Sequence, residues 1–292
     1  MSALLLKLYP AAYRREFGDE IAEAYREATR GAGAPARVRE GADVAGHALR
    51  MRLGLGSAGR PGRLLAALAP FALAAVGAAS LSWAGVMRHV FFLAGWDEIG
   101  TGFVTVVAAY LVVVSGVFLA LAGRWSAGCW TVLAGVGAVL AAGTVRMGIG
   151  TFATLGISTV PMLVLALVAV ACPPDLRPAP RVRTRAGVLA VMAWTLVMTS
   201  AVMLVPLVYP FTQLRFAVPA VAGLLLAGRP AFARLRTAPA VLLAGLPFLY
   251  FGGTPGTLLP LGLAALLVLL VVAAAVVSVR RRRSARDPLV GG

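Results

Sequence analysis

Apolar positions along the chain follow two regimes. From Pro10 to Arg30 they recur at helical spacing, with Phe17, Ile21, Tyr25 and Ala28 at i, i+4, i+8 and i+11, while Arg14, Arg15, Asp19, Glu23, Arg26 and Glu27 take the opposite face. Pro10 suits a first helical turn and Gly31 a stop. This pattern predicts an amphipathic helix, supported by Glu23–Arg26 and Glu27–Arg30 at i, i+3, each pair worth a few tenths of a kcal/mol. Gly18 inside it costs about 0.5–1 kcal/mol relative to alanine. Either a neighbouring backbone approaches closely there or the glycine is harmless. After the breaker Gly31-Ala-Gly-Ala-Pro35, a second stripe of Val38, Ala42, Ala45, Leu49 and Leu53 is flanked by Arg37, Arg39, Arg50 and Arg52. It fits a basic helix lying on a membrane surface and, equally, a helical hairpin packed on its own partner stripe. His47 has no acids near it at ligand spacing and is expected in solvent.

Beyond Arg63 the second regime begins. Roughly 20 residues of helix cross a ~30 Å hydrocarbon core, and eight apolar runs follow: 64–87, 102–123, 126–145, 151–172, 186–209, 216–228, 238–251 and 258–279. The sixth and seventh, with 13 and 14 residues, reach only about 20 Å. The expected fold is all-α: a polytopic transmembrane helix bundle of about eight spans over 64–279, preceded by a cytoplasmic amphipathic helical segment at 1–63 and followed by a basic tail at 280–292.

Composition closes off the soluble alternative. Of 292 residues, 60% are hydrophobic and 13% charged, against about 45–50% apolar and about 25% charged in an ordinary soluble domain. The first 63 residues hold 11 of the 27 basic and 7 of the 11 acidic side chains, so 18 of the 38 charges sit in about a fifth of the length. A net charge of +16 from 26 arginines and one lysine would suggest nucleic acid for a soluble chain. In a membrane protein it reads as loop charge, and no nucleic-acid partner is expected. Seventeen arginines flank one set of run ends, among them Arg50, Arg52, Arg60, Arg63, Arg124, Arg177, Arg229, Arg234 and Arg236. The opposite set has Arg88, Arg146 and Arg215. That asymmetry places both termini in the cytoplasm and the chain in the plasma membrane, with segments six and seven as two crossings. Trp83, Phe91, Phe92, Trp96, Tyr209, Phe211, Phe216, Tyr250 and Phe251 then gather at the outer interface, and Trp125 and Trp130 at the inner one. Cys129 and Cys172 read as inert core residues facing a reducing compartment.

The segment Leu8-Tyr9-Pro10-x-x-Tyr13-Arg14-x-x-Phe17-Gly18-x-Glu20-Ile21 resembles the LYPxxYRxxFGxE opening of uncharacterised integral membrane proteins from GC-rich actinobacterial genomes. A similar opening occurs in prefix segments of some bacterial permeases and in membrane partners of PadR-type repressors. The resemblance covers roughly 25 residues, with a weaker echo from Ala42 to Leu53. It implies a cytosolic regulatory or docking module on a membrane body, with Tyr9, Pro10, Arg14, Phe17, Gly18 and Glu20 as the motif residues. It transfers no catalytic residue.

Chemistry inside the bundle is sparse. No Asp, Glu, Lys or His falls within the eight runs, whereas intramembrane ionisable groups are the usual pointers to proton or ion pathways. His89, Asp97 and Glu98 form the one outer cluster, a thin zinc site, and no phosphate-cradling GxxxxGK[ST] loop occurs. No catalytic residue, metal or cofactor is expected. Gly135, Gly137, Ala141, Gly143, Gly148 and Gly150 allow close helix approach. Pro70, Pro161, Pro206, Pro219, Pro247 and Pro260 mark kinks or broken helices. Leu121-Ala-Gly-Arg124 and Leu226-Ala-Gly-Arg229 form a faint internal echo, as do Val132-Leu-Ala-Gly135 and Leu242-Leu-Ala-Gly245. Arg280, Arg281, Arg282, Arg283 and Arg286 form a stop-transfer block set to meet lipid headgroups, each worth about 1 kcal/mol near an anionic leaflet. The expected partners are membrane lipid, a cytosolic regulatory protein or an ABC-type ATPase, and a second copy of the chain. A non-enzymatic scaffold or sensor leads, with a permease component for an apolar or neutral solute as the competing reading.

Overall fold

Helices α1 (Ala3–Lys7), α2 (Ala11–Thr29) and α3 (Ala34–Arg52) open the chain. A computed structural model describes residues 3–57, 59–94, 101–147, 149–178, 214–252 and 260–286, together with Arg185, Ala186, Leu189, Met192, Ala193 and Leu196. Among the described residues there is no strand. After α3 come α4 (Arg60–Ala94), α5 (Thr101–Leu121), α6 (Trp125–Met147), α7 (Ile149–Val170) and a 3-10 turn at Pro174–Leu176. Then follow α8 (Leu214–Ala233), α9 (Ala238–Gly252) and α10 (Pro260–Arg286). The six isolated positions between 185 and 196 are helical and exposed; the rest of the predicted 186–209 run lies outside the described residues. Two units emerge, Met1–Leu65 with Pro173–Leu176, and Ala66–Cys172 with Arg177–Gly292.

In the first unit the breaks fall where backbone chemistry demands them. Pro10 caps α2, which ends at Thr29 just before Gly31, whose φ of 74° is left-handed and open to glycine at little cost. Gly33 then caps α3, with Pro35 in its first turn, where a missing N–H costs nothing. Gly54, at φ 66°, closes α3 after Leu53. The added Cβ of an alanine at Gly18 would meet nothing nearer than the Arg14 Cγ at 3.5 Å, so no neighbouring backbone accounts for this glycine.

Among the described residues, three helices are long and apolar enough to cross a membrane: Arg60–Met87, Phe103–Leu121 and Trp125–Gly143. Thr159–Val170 and Ala238–Phe251 are shorter apolar helices. Three hydroxyls in the long apolar helices bond their own backbone: Ser80 Oγ, Ser115 Oγ and Thr131 Oγ1 donate at 2.8 Å to the carbonyls of Val76, Leu111 and Ala127, whereas the buried Thr159 Oγ1 has no partner among the described residues. Such back-bonding removes the penalty of an unpaired polar atom without calling on a neighbour. Pro70, Pro161 and Pro247 lie inside continuous helices. Gly228, with φ 67° and ψ 164°, kinks α8, which continues to Ala233 beyond the 216–228 run.

Glycine sets the tightest packing. A Cβ on Gly116 would come within 2.7 Å of the Val132 backbone N and 2.8 Å of the Gly128 carbonyl, and one on Gly128 would overlap the Ala120 backbone N and the Gly116 carbonyl. At Gly135 it would meet the Val113 backbone N at 2.9 Å. Helices α5 and α6 thus touch backbone to backbone along an antiparallel hairpin, which only small residues permit. Gly137 faces open space instead. Elsewhere Gly77 faces Val117, Gly223 faces Phe248 and the Ala74 carbonyl, and Gly245 faces Leu270, tying α4 to α5, α8 to α4 and α9, and α9 to α10.

Candidate functional site

The N-terminal motif folds onto itself. Spaced one turn apart, Tyr9, Tyr13 and Phe17 stack in sequence, with ring centroids 5.5 Å and then 4.8 Å apart. The His47 ring of α3 closes the row, 5.6 Å from Tyr9 and 6.2 Å from Tyr13. Tyr9, only 2% exposed, holds its hydroxyl 3.0 Å from His47 Nδ1 and donates a longer bond of 3.4 Å to the Val44 carbonyl. The expectation that His47 stands in solvent is therefore corrected: it is half-buried and paired, because Tyr9, 38 positions away in sequence, comes back beside it. Burial, reinforced by the Arg50 charge, pulls the His47 pKa below the ordinary histidine value, so its neutral form is favoured. Burial raises the Tyr9 pKa, aided by Tyr13 and opposed by Arg50.

Further bonds fasten the three helices together. Arg52 Nη2 donates to the Lys7 carbonyl at 2.7 Å, satisfying the C-terminal end of α1, and the Tyr25 hydroxyl donates to the Arg37 carbonyl at 3.4 Å. Arg26 Nε turns back to the Ala22 carbonyl at 3.2 Å. The motif residues divide by position. Tyr9 and Gly18 are buried, Pro10 caps α2, and Arg14 and Phe17 are half-buried, so this part of the motif builds the hairpin. Glu20 is exposed, in line with Glu16, Asp19, Glu23 and Glu27 on the outer surface of α2.

Helix α3 carries two apolar stripes. Gly41 and Ala48 face inward: a Cβ on Gly41 would lie 3.8 Å from both Leu5 and the Tyr25 hydroxyl, and Ala48 is fully buried, with Val44 and Met51 half-buried. The stripe singled out from the sequence points elsewhere, with Val38 72%, Leu49 58% and Leu53 58% exposed.

The second unit holds a largely apolar cavity of about 120 Å³. Pro70, Leu73 and Ala74 of α4, Ala120 and Leu121 of α5, Trp125 of α6, and Leu226, Pro230 and Ala231 of α8 line it, together with Pro178 and Arg234. Trp125, expected in an interfacial belt, is buried and donates its indole N–H to the Ala169 carbonyl at 3.2 Å, pinning α6 to the end of α7. Trp130 is 60% exposed. The repeated Leu-Ala-Gly-Arg segments share a backbone feature, since Gly123 and Gly228 both adopt positive φ, at 93° and 67°. Gly135 and Gly245 do not match in the same way: the first packs on the preceding helix and the second on the following one.

Cys129 and Cys172 are both buried, and no disulfide joins them. Among the described residues no group of three metal-ligating side chains occurs. His89 lies on α4, while Asp97 and Glu98 lie outside the described residues. Arg280, Arg281, Arg282 and Arg283 are exposed on the last turns of α10, and Arg286 ends that helix. No family model, curated protein or solved structure matches the chain.

Proposed function

We propose that the chain is a multi-pass plasma-membrane protein of about eight spans, with both termini cytoplasmic, that serves as a non-enzymatic scaffold, sensor or regulatory partner. Its N-terminal helices receive a cytosolic regulatory protein. One observation carries this reading: a charged three-helix unit, closed by its own aromatic row, is joined to a body of apolar helices and leaves the acidic residues of α2 exposed. The motif resemblance points the same way. Arginine asymmetry supports the orientation, because moving arginine into the bilayer centre costs about 2.5–3.5 kcal/mol on insertion scales.

Removing residues 1–60 is expected to release the cytosolic partner while the remainder still inserts; an undiminished pull-down from the truncated protein rejects the docking role. A reporter enzyme fused after Gly253 should be active on the outer side, and cytoplasmic activity there overturns the eight-span arrangement.

The cavity between α4, α5, α6 and α8 favours a second reading, a permease component for an apolar or neutral solute. Purified protein in vesicles should then move small lipophilic compounds, and filling the cavity with Ala231→Phe should stop the flux. Vesicles that show no flux across a broad panel remove this reading.

A further inference from the structure

Helix α3 spends one apolar stripe on the hairpin and keeps another. Gly41 faces Leu5 of α1 and Tyr25 of α2, and Ala48 is fully buried, whereas in the other stripe Val38, Ala42, Leu49 and Leu53 remain exposed and Ala45 is half-buried. The two readings open from sequence alone are therefore not exclusive, because they concern different faces. We infer that the outer stripe of α3 lies on an anionic lipid surface, with Val38, Leu49 and Leu53 in the acyl boundary and the neighbouring arginines at the headgroups.

Charge and reach select this occupant. Arg37, Arg39, Arg50 and Arg52 flank the stripe in the sequence, and Arg60 and Arg63 follow in the first turn of α4, against Glu40 and Asp43 alone within α3. An apolar stripe bordered by arginine is the pattern of helices that lie in the plane of a negatively charged leaflet. Seven residues, 53–59, separate α3 from α4, and a chain of that length spans at most about 25 Å. Since α4 contains a stretch long and apolar enough to cross a bilayer, α3 cannot leave the vicinity of the membrane that α4 enters. The inference rests on the membrane reading of the previous section and adds to it the partner of one particular helix face.

The test uses the full chain in nanodiscs, with Cys129→Ala and Cys172→Ala removing the native thiols. Single cysteines at Leu49→Cys on the stripe, Glu23→Cys on the outer face of α2 and Leu269→Cys on the exposed flank of α10 carry an environment-sensitive fluorophore. Discs contain phosphatidylcholine alone or mixed with phosphatidylglycerol, each with a quencher on the lipid chains. Quenching at position 49 should exceed that at 23 several-fold in the anionic discs. It should fall towards the phosphatidylcholine level in high salt or when Arg37 and Arg50 are changed to Glu. Quenching at 269 with none at 49 overturns the α3 assignment and leaves the membrane reading standing. Absence of quenching at 269 overturns both. Self-quenching between copies at 49 without lipid quenching shows instead that a second chain covers the stripe, and likewise overturns the inference.

Discussion

The Tyr9 hydroxyl stands 3.0 Å from Nδ1 of His47, linking the start of α2 to the last turns of α3 across 38 positions of sequence. Tyr9 is almost wholly buried, so this contact combines an aromatic anchor with a polar tie. It gives the N-terminal motif a structural task, holding the hairpin shut, that is separate from any docking task of the exposed Glu20.

Truncating the anchor should open the unit. Tyr9→Phe keeps the ring and deletes the hydroxyl, and should cost about 0.5–1.5 kcal/mol, the net value of an ordinary hydrogen bond. Tyr9→Ala should cost about 3–5 kcal/mol, as for other large aromatic truncations in a core. Amide hydrogen exchange in α2 and α3 of the full chain reads both, and equal protection in the two variants contradicts the assignment.

Acid should weaken the same hairpin. The folded His47 pKa is held below the ordinary value of about 6.5 by burial and by Arg50, so the unfolded segment binds more protons near and below that value. Stability is therefore complete above the unfolded pKa and declines as pH falls through it towards the folded one. Exchange protection of α3 should drop on acidification from neutrality, and His47→Gln should flatten the dependence. An unchanged slope in that variant assigns the titration to another group.

These two cases show where sequence reading reaches and where it stops. Spacing revealed the helical faces and glycine chemistry revealed their ends: Gly31 closes α2, Gly123 follows α5 and Gly228 breaks α8, each at positive φ. A face, however, does not name its partner. Nothing near His47 in sequence announces Tyr9, and the outer stripe of α3 was visible while the inner one, built on Gly41 and Ala48, was not. Small residues in a chain rich in Leu, Ala and Gly look alike, so Gly135 and Gly137 were indistinguishable until one met a backbone and the other met space. Trp125 likewise has the composition of a belt residue and the position of a pin.

The α5–α6 hairpin makes that distinction measurable. Gly128→Ala, Gly116→Ala or Gly135→Ala drives a methyl into the facing backbone and should cost about 1–3 kcal/mol, the usual range for an overpacked site. Gly137→Ala meets nothing and should be neutral or slightly stabilising. Denaturation in mixed detergent micelles compares the four, and a loss at Gly137 equal to that at Gly128 refutes the close approach.

Gly123 and Gly228 should respond differently, through backbone and not packing. Alanine at either must adopt a left-handed φ, at about 1–2 kcal/mol. D-Alanine, introduced by semisynthesis, carries its methyl without that penalty and should recover most of the loss at each position. Failure of the D-residue to do so identifies a steric cause.

Helix α4 runs for 35 residues, close to 52 Å at 1.5 Å per residue, while bilayer and headgroups together measure about 40–45 Å. A rod longer than the slab it pierces must lean or leave a turn standing clear, and how far it leans depends on the thickness of the slab. Lipids that thicken or thin the surrounding sheet would then rotate the end from which the seven-residue tether departs, turning the mechanics of the bilayer into a displacement at the start of α4.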